Sequence, residues 1–317
     1  MNTYKKYLTL TVVALLFQTY QLHSYPLVYS MKIRRSFGTD LFAALNLKNL
    51  VLFTGLPLYY WRDRKIIVPS LEQNIHEKLT AAGAIFNLYA MTQHHWWAEL
   101  TTGLETQKVK AEGTSNFKNS KTGWDDIILT IGKNFFTDSK TQIATYVLAG
   151  FPIGKTVTPL ESLGVLVGSR LFGLGAGAEF SYAFMQSAER SFIGLLQARF
   201  VHFFSRSWFP ILPIDARLQP GNMTDLFLIA QYRVKKNIVE IGYNPTFFTN
   251  QAALFKEGKV VNPNFSRNSF YANYTHLLPH FPVLNIPGAL GLGMSVSKAN
   301  LFDAKSASVW FNMTFLF

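Results

Sequence analysis

The C-terminal stretch Ser308–Phe317, which reads SVWFNMTFLF, carries the clearest structural pattern of this chain. Its side chains form two alternating sets: apolar Val309, Phe311, Met313, Phe315 and Phe317, and the more polar Ser308, Trp310, Asn312 and Thr314. Successive side chains of a β-strand point to opposite faces, so a strand separates these sets, whereas a helix would mix them. The stretch therefore predicts a strand with one apolar face and one mixed, polar face.

The same alternation recurs from about residue 79 to the C-terminus, in strand-length segments separated by turn residues or longer polar stretches. The intervening faces carry glycine, serine, threonine and asparagine, with a few charged residues: Glu99, Glu105, Asp126, Glu179, Arg199, Asp225, Arg233 and Glu240. A water-soluble sandwich usually shows many lysines on its wet face, whereas small polar side chains suit a crowded or water-filled lumen. We therefore expect these charged residues to line the lumen of a barrel.

An open sheet in lipid would leave backbone groups without hydrogen bonds, so the strands must close into a ring. Roughly 240 residues, at about 20 per strand and connection, give about twelve strands, with ten to fourteen allowed. The sequence thus predicts an all-β protein, a closed antiparallel transmembrane β-barrel.

The composition excludes several other classes. The 317 residues are 49% hydrophobic and 15% aromatic, yet after the first two dozen residues no apolar run is long enough for a membrane-spanning helix. The chain has no cysteine, which excludes disulfides and thiolate metal sites. Its net charge of +12 is dispersed, which favours anionic lipid head groups or acidic solutes over nucleic acid as partners.

Three regions are predicted along the chain. Residues 1–24 read as a secretory signal peptide, because Lys5 and Lys6 precede an apolar core that is too short to span a membrane. Residues 25–78 form an N-terminal segment, interpreted as a plug or a periplasmic extension, with two further strands as the alternative. Residues 79–317 form the transmembrane β-barrel.

The terminal residues Phe311, Met313, Phe315 and Phe317 resemble the assembly signal of bacterial outer-membrane proteins. That resemblance implies export to the outer membrane of a Gram-negative bacterium, with outer-membrane lipids and the barrel-assembly machinery as partners.

A second resemblance covers most of the barrel region. Gly123–Ile127 and Phe151–Gly154 are similar to the Gly-x-Gly-Asp and Pro-x-Gly motifs of the MetA-pathway phenol-degradation barrels, which are transporters, although Asp125 replaces a glycine. The resemblance implies a mid-sized, porin-like channel or facilitated-diffusion transporter for small, including apolar, solutes. The alternative is a non-conducting structural or adhesive barrel whose extracellular loops bind partners.

An enzyme is a less favoured interpretation. The stretch Thr92–Trp97 resembles part of outer-membrane phospholipase A, but the catalytic His-x-Ser-Asn-Gly motif of that family is missing. His202 is followed by two phenylalanines before a serine, and His276 is followed by two leucines. A lipid-active enzyme would still have to use one of these two histidines, because acyl transfer needs a base beside a nucleophile. We expect no catalytic residues and no cofactor.

Two further groups of residues are assigned from their type. Adjacent His94 and His95 would point to opposite sides of a strand, so they are interpreted as turn residues, and no metal site is expected. Four tryptophans are predicted to mark the membrane boundaries, where amphipathic rings collect: Trp96, Trp97, Trp124 and Trp208.

Overall fold

The computed structural model describes most of the chain from Leu50 onward. The described residues are 50–68, 73–112, 117–136, 140–153, 172–187, 189–204, 206–207, 216–219, 221–250, 252–255, 258–261, 264–281, 286–300 and 304–317. The predicted signal peptide at 1–24 and the part of the N-terminal segment at 25–49 lie outside these residues. Among the residues described, no helix is long and apolar enough to cross a membrane.

Every regular element of the described residues is a β-strand. In chain order the strands are β1 Leu50–Val68, β2 Gln73–Met91, β3 Trp96–Glu112, β4 Phe117–Trp124, β5 Ile127–Phe136, β6 Thr141–Phe151, β7 Gly173–Gln186, β8 Arg190–Phe203, β9 Arg206–Ser207, β10 Ala216–Gln219, β11 Gly221–Val234, β12 Asn237–Thr249, β13 Ala252–Phe255, β14 Gly258–Val261, β15 Phe265–Leu278, β16 Gly288–Ala299 and β17 Lys305–Leu316.

Twelve of these strands close into one antiparallel ring. The order around it is β2, β1, β17, β16, β15, β12, β11, β8, β7, β6, β5 and β3, and β3 pairs with β2 again. The ring closes between the first and last strands, from Leu52↔Leu316 to Asp63↔Lys305. The predicted closed barrel of about twelve strands is confirmed.

The remaining described strands lie at one end of the ring. Strand β4 continues β5 along β3 with a bulge between them: β3 pairs with β5 up to Thr101↔Ile128 and with β4 from Leu104↔Trp124. Strands β1 to β4 therefore extend past the ring as a four-stranded sheet. The four short strands β9, β10, β13 and β14, from the connections after β8 and β12, form a second small sheet.

The two ends of the ring differ in their connections. At one end the connections are the short segments 92–95, 137–140, 187–189 and 235–236, together with the longer 279–287. Phe317 also lies at this end, where its backbone nitrogen donates to the Val51 carbonyl at 2.9 Å. The end with the extended sheet is the one that carries the longer connections, such as 152–172 and 250–264.

The strands tilt across the ring. If cross-strand partners are followed once around the ring from Lys78 on β2, the path ends at Trp96 on β3. Trp96 lies level with the position just after Met91 of β2, so the path returns to β2 roughly 14 residues from its start. A stagger of that size in twelve strands corresponds to a tilt of about 40°. The ring is wider than an eight-stranded barrel, in which side chains just fill the interior.

The structure corrects the predicted start of the barrel. Residues 50–68 and 73–78 belong to β1 and β2 of the wall, so this part of 25–78 follows the alternative of two further strands and not the plug or periplasmic extension. Period-two alternation is weak in β1 because its inward residues are themselves apolar, as Leu52, Leu56 and Leu58 show.

The two faces of the ring have opposite character. Outward positions carry large apolar side chains that are exposed on the isolated chain, such as Phe180 at 44%, Ile241 at 58% and Phe311 at 41%. Their neighbours in sequence point inward and are buried and polar: Glu179, Glu240 and Asn312. An apolar outer surface on a closed ring is the arrangement that lipid requires.

Candidate functional site

The inner face of the ring brings together polar side chains from strands that are distant in sequence. Seven of the eight charged residues predicted for a lumen are buried on this face: Glu99, Glu105, Asp126, Glu179, Arg199, Asp225 and Glu240. The eighth, Arg233, is partly buried at the short-turn end, where its Nη2 donates to the Ser187 carbonyl at 3.4 Å. Their role in lining a pathway stays a prediction.

Arg199 and Asp225 form a buried ion pair between β8 and β11, where they are direct cross-strand partners. Arg199 Nε donates to Asp225 Oδ2 at 3.0 Å, and the Thr246 hydroxyl on β12 donates to Asp225 Oδ1 at 2.7 Å. The guanidinium carbon also lies 5.8 Å from the centre of the Phe227 ring. The pair thus joins three neighbouring strands, and removing one member would leave a buried charge without its counter-ion.

Side-chain amides donate hydrogen bonds to other carboxylates of the inner face. Asn87 Nδ2 donates to Glu99 Oε1 at 2.7 Å, and the Thr101 hydroxyl donates to the same oxygen at 3.3 Å. Gln231 Nε2 donates to Glu240 Oε2 at 3.4 Å. Neutral donors offset part of the desolvation of a carboxylate without neutralising it. These hydrogen bonds therefore help the inner face to accommodate buried acidic side chains.

The bulge between β4 and β5 places two adjacent aspartates inside the barrel. Three residues of this strand stand opposite two of β3, and the Asp125 backbone nitrogen donates to the Gly103 carbonyl at 2.7 Å. The Asp126 nitrogen donates to Asp125 Oδ1 at 2.9 Å, and both side chains are buried. Bulges redirect side chains in this way. The motif Gly123–Ile127, which carries the resemblance to phenol-degradation barrels, forms this bulge.

Four aromatic side chains of the inner face lie flat against the wall. Each ring covers a glycine that is its direct partner on the next strand, and a Cβ added to that glycine would come within 2.3 Å of the ring. The pairs are Trp97 with Gly132, Tyr146 with Gly177, Tyr271 with Gly242, and Trp310 with Gly293. Each ring therefore occupies the space that a side chain at the glycine position would fill.

The placement of Trp97 corrects a prediction. It lies inside the barrel at 2% exposure, so its assignment to a membrane boundary is wrong. Its Nε1 donates to Asn134 Oδ1 at 2.9 Å, and its ring lies 5.9 Å from the rings of both Tyr89 and Tyr146. The strand period could have shown this, because Trp97 shares its side of β3 with Glu99.

Two other predicted boundary tryptophans lie on the outer face. Trp96 and Trp124 are each 51% exposed and stand near opposite ends of the wall. Lys133 Nζ lies 5.1 Å from the centre of the Trp96 ring. Their use as membrane anchors stays a prediction, and Trp208 lies outside the described residues.

The residues of the predicted assembly signal share the outer face of β17. Phe317 is 65% and Phe311 41% exposed, while Met313 and Phe315 are partly exposed. The Phe315 ring also packs against the Phe281 ring, with 4.7 Å between centroids. The structure shows the alternation, and its recognition by assembly machinery stays a prediction.

The histidines considered for a metal site or for catalysis do not come together. His94 and His95 lie in the turn between β2 and β3. His202 is near the end of β8 with the long connections, whereas His276 is near the short-turn end of β15, and each contacts an asparagine on the outer face. In the described part of the chain, no group of three His, Cys, Asp or Glu side chains is placed to hold a metal ion.

A closed ring of twelve strands with an apolar exterior and a polar interior defines a membrane-spanning β-barrel. No protein-family model matches this chain. No curated protein matches it either.

Solved structures of membrane barrels resemble it at low identity. The CymD monoaromatic hydrocarbon channel is 9% identical, with 90% of this chain and 93% of that chain covered and a TM-score of 0.40. The translocator domain of autotransporter NalP from Neisseria meningitidis is 10% identical, with coverages of 88% and 94% and a TM-score of 0.40. The transport unit of autotransporter AIDA-I from Escherichia coli is 11% identical, with coverages of 88% and 97% and a TM-score of 0.47. These likenesses concern the fold alone.

Proposed function

We propose that this protein is a channel or facilitated-diffusion transporter for small solutes in the bacterial outer membrane. The observation that carries the proposal is the polar inner face of the closed ring. Membrane barrels that conduct solutes have polar interiors, and the inner face of this ring is polar too. Twelve strands also enclose more space than the eight whose inward side chains just fill a barrel.

The lining favours small cations and neutral molecules over anions. Most charged residues predicted for it are acidic, and Arg199 is already paired with Asp225. Rings of acidic side chains make a pathway cation-preferring.

Outer-membrane placement is part of this proposal. The outer face would contact membrane lipids, and the terminal Phe317 with alternate apolar residues before it fits recognition by barrel-assembly machinery. The long connections at one end and short ones at the other fit the extracellular and periplasmic sides.

Conductance in planar bilayers tests the proposal. The folded full chain, identified by faster migration on a gel before boiling, should give discrete steps in KCl. Under a KCl gradient, Glu179→Gln should lower the cation-over-anion permeability ratio roughly twofold. Glu189→Gln is the matched control, because Glu189 is exposed in the turn before β8. A folded sample that never conducts would overturn the proposal.

A second candidate is a non-conducting barrel whose loops bind partners. The small sheet of β9, β10, β13 and β14 favours it, because this sheet joins two long connections at the extracellular end. A sealed barrel, together with partner binding that is lost when residues 250–264 are shortened, would favour this function over transport.

A further inference from the structure

Three lysines stand side by side on the outer face of the extended sheet. Lys78 of β2 pairs directly with Lys110 of β3, and Lys110 pairs directly with Lys118 of β4. All three side chains are exposed, as is Lys108, the next outward residue of β3 towards the ring. The result is a compact basic row across three neighbouring strands.

The basic row destabilises the pairing of the strands that carry it. Like charges on directly opposed residues destabilise a pair of strands. Glu112 contacts Lys110 at 2.6 Å, and Asp63, the cross-strand neighbour of Lys78, is engaged by His76 at 2.5 Å. Two acidic groups thus lie beside a row of three cations, and a negatively charged partner would reduce the remaining repulsion between the lysines.

The position of the basic row identifies that partner. Towards the ring, the outer face of the same strands changes from the hydrogen-bonded hydroxyls of Thr106 and Thr122 to apolar Leu104 and Trp124, both exposed. Lys118 lies six residues beyond Trp124, which is about 20 Å along the strand at ~3.3 Å per residue and about 15 Å along the axis of the tilted wall. A tryptophan at the apolar boundary followed by lysines places the row beside the head groups of the extracellular leaflet.

We propose that the basic row Lys78, Lys110 and Lys118 binds the phosphate groups of an anionic glycolipid in the extracellular leaflet of the outer membrane. The inference rests on the proposed outer-membrane location and orientation. Clustered lysines next to a membrane attract anionic head groups, and each lysine adds to the attraction. The glycolipid would fasten the extended sheet against the membrane surface outside the ring.

Binding of lipid A to the detergent-purified full chain tests this proposal. The probe is diphosphorylated lipid A, with dephosphorylated lipid A as comparator, and bound lipid is counted by native mass spectrometry at low salt. The triple variant Lys78→Gln, Lys110→Gln, Lys118→Gln should bind at least about tenfold more weakly. Wild type should hold dephosphorylated lipid as weakly as the variant does, and its binding should weaken with added NaCl.

The chain offers a matched control at its opposite end. Lys140, Lys235 and Lys236 are exposed beside the short turns, and their replacement by glutamine should leave lipid A binding unchanged. The basic-row variant should melt at the wild-type temperature or above, because like-charge repulsion is removed, so lost binding would not reflect misfolding. Equal binding by the basic-row variant and wild type, or equal losses in both triple variants, would overturn the inference. Conductance is measured separately, so a non-conducting barrel that still binds lipid A contradicts only the proposed function.

Discussion

Glu240 and Ile241 are neighbours on β12, yet they belong to two regions that are built differently, the inner and the outer face of the wall. Ile241 is 58% exposed on the isolated chain, where lipid would cover it, while Glu240 is buried and hydrogen-bonded to Gln231. Lipid accepts almost any apolar side chain, so the outer face needs only composition and alternation. The inner face needs specific partners across strands.

The inner face shows this dependence in two kinds of pair. The Arg199–Asp225 ion pair requires both members, because each charge is desolvated by the same surroundings. The Trp97 ring requires a glycine at its partner position 132, because a Cβ there would lie 2.1 Å from the ring. Substitutions should therefore act singly on the outer face and in coupled pairs on the inner face.

The largest effect is expected at the buried ion pair. Arg199→Met should lower the free energy of unfolding by about 3–5 kcal/mol, because it leaves Asp225 as a buried charge without its counter-ion. Guanidinium unfolding in phospholipid vesicles, followed by tryptophan fluorescence, measures this change. Arg190→Met is the control, because Arg190 is exposed at the start of the same strand β8.

The double variant Arg199→Met, Asp225→Leu tests whether the two charges depend on each other. Replacement of both charges by apolar groups removes the unpaired charge, so the double variant should be more stable than either single variant. Additive losses would contradict coupling across the inner face.

On the outer face, the cost of a charge should depend on depth alone. Ile241→Arg, in the middle of β12, should cost about 2–4 kcal/mol, whereas Phe247→Arg, near the end of the same strand, should cost about 0–1 kcal/mol. Both side chains are exposed on the isolated chain, at 58% and 42%. The same unfolding measurement applies, with Ile241→Leu as the control. Equal losses of unfolding free energy at the two positions would contradict the assignment of this face to lipid.

The outer face was largely predictable from the sequence. Alternation in β17 and β12 assigns Phe311 and Ile241 to the same kind of surface, because the strand period of two separates the faces without knowledge of partners. The strand number followed from chain length, since each strand and connection uses a similar number of residues.

The inner face was predictable only in part. Charged residues such as Glu179 and Asp225 were placed on the mixed face by the same alternation, but their partners depend on strand pairing, which the sequence does not specify. Strand β1 was expected only as an alternative because Leu56 and Leu58 make its inner face apolar, so the alternation disappears. Trp97 was misplaced because it was assigned from the preference of tryptophan for membrane boundaries. The alternation of β3, which puts Trp97 on the same side as Glu99, was the better guide.

The smallest of the three effects is expected at the rings that cover glycines. Gly132→Ala should cost about 1–3 kcal/mol, because the new methyl group must displace the Trp97 ring from the wall. Gly55→Ala is the matched control: a Cβ there meets nothing within 4 Å, so this change should be neutral or stabilise the barrel by up to about 1 kcal/mol. Adding Trp97→Leu to Gly132→Ala should cost less than the sum of the two single changes, because the clash is gone. Strict additivity in unfolding measurements would mean that the ring and the glycine act independently, which their direct pairing across β3 and β5 argues against.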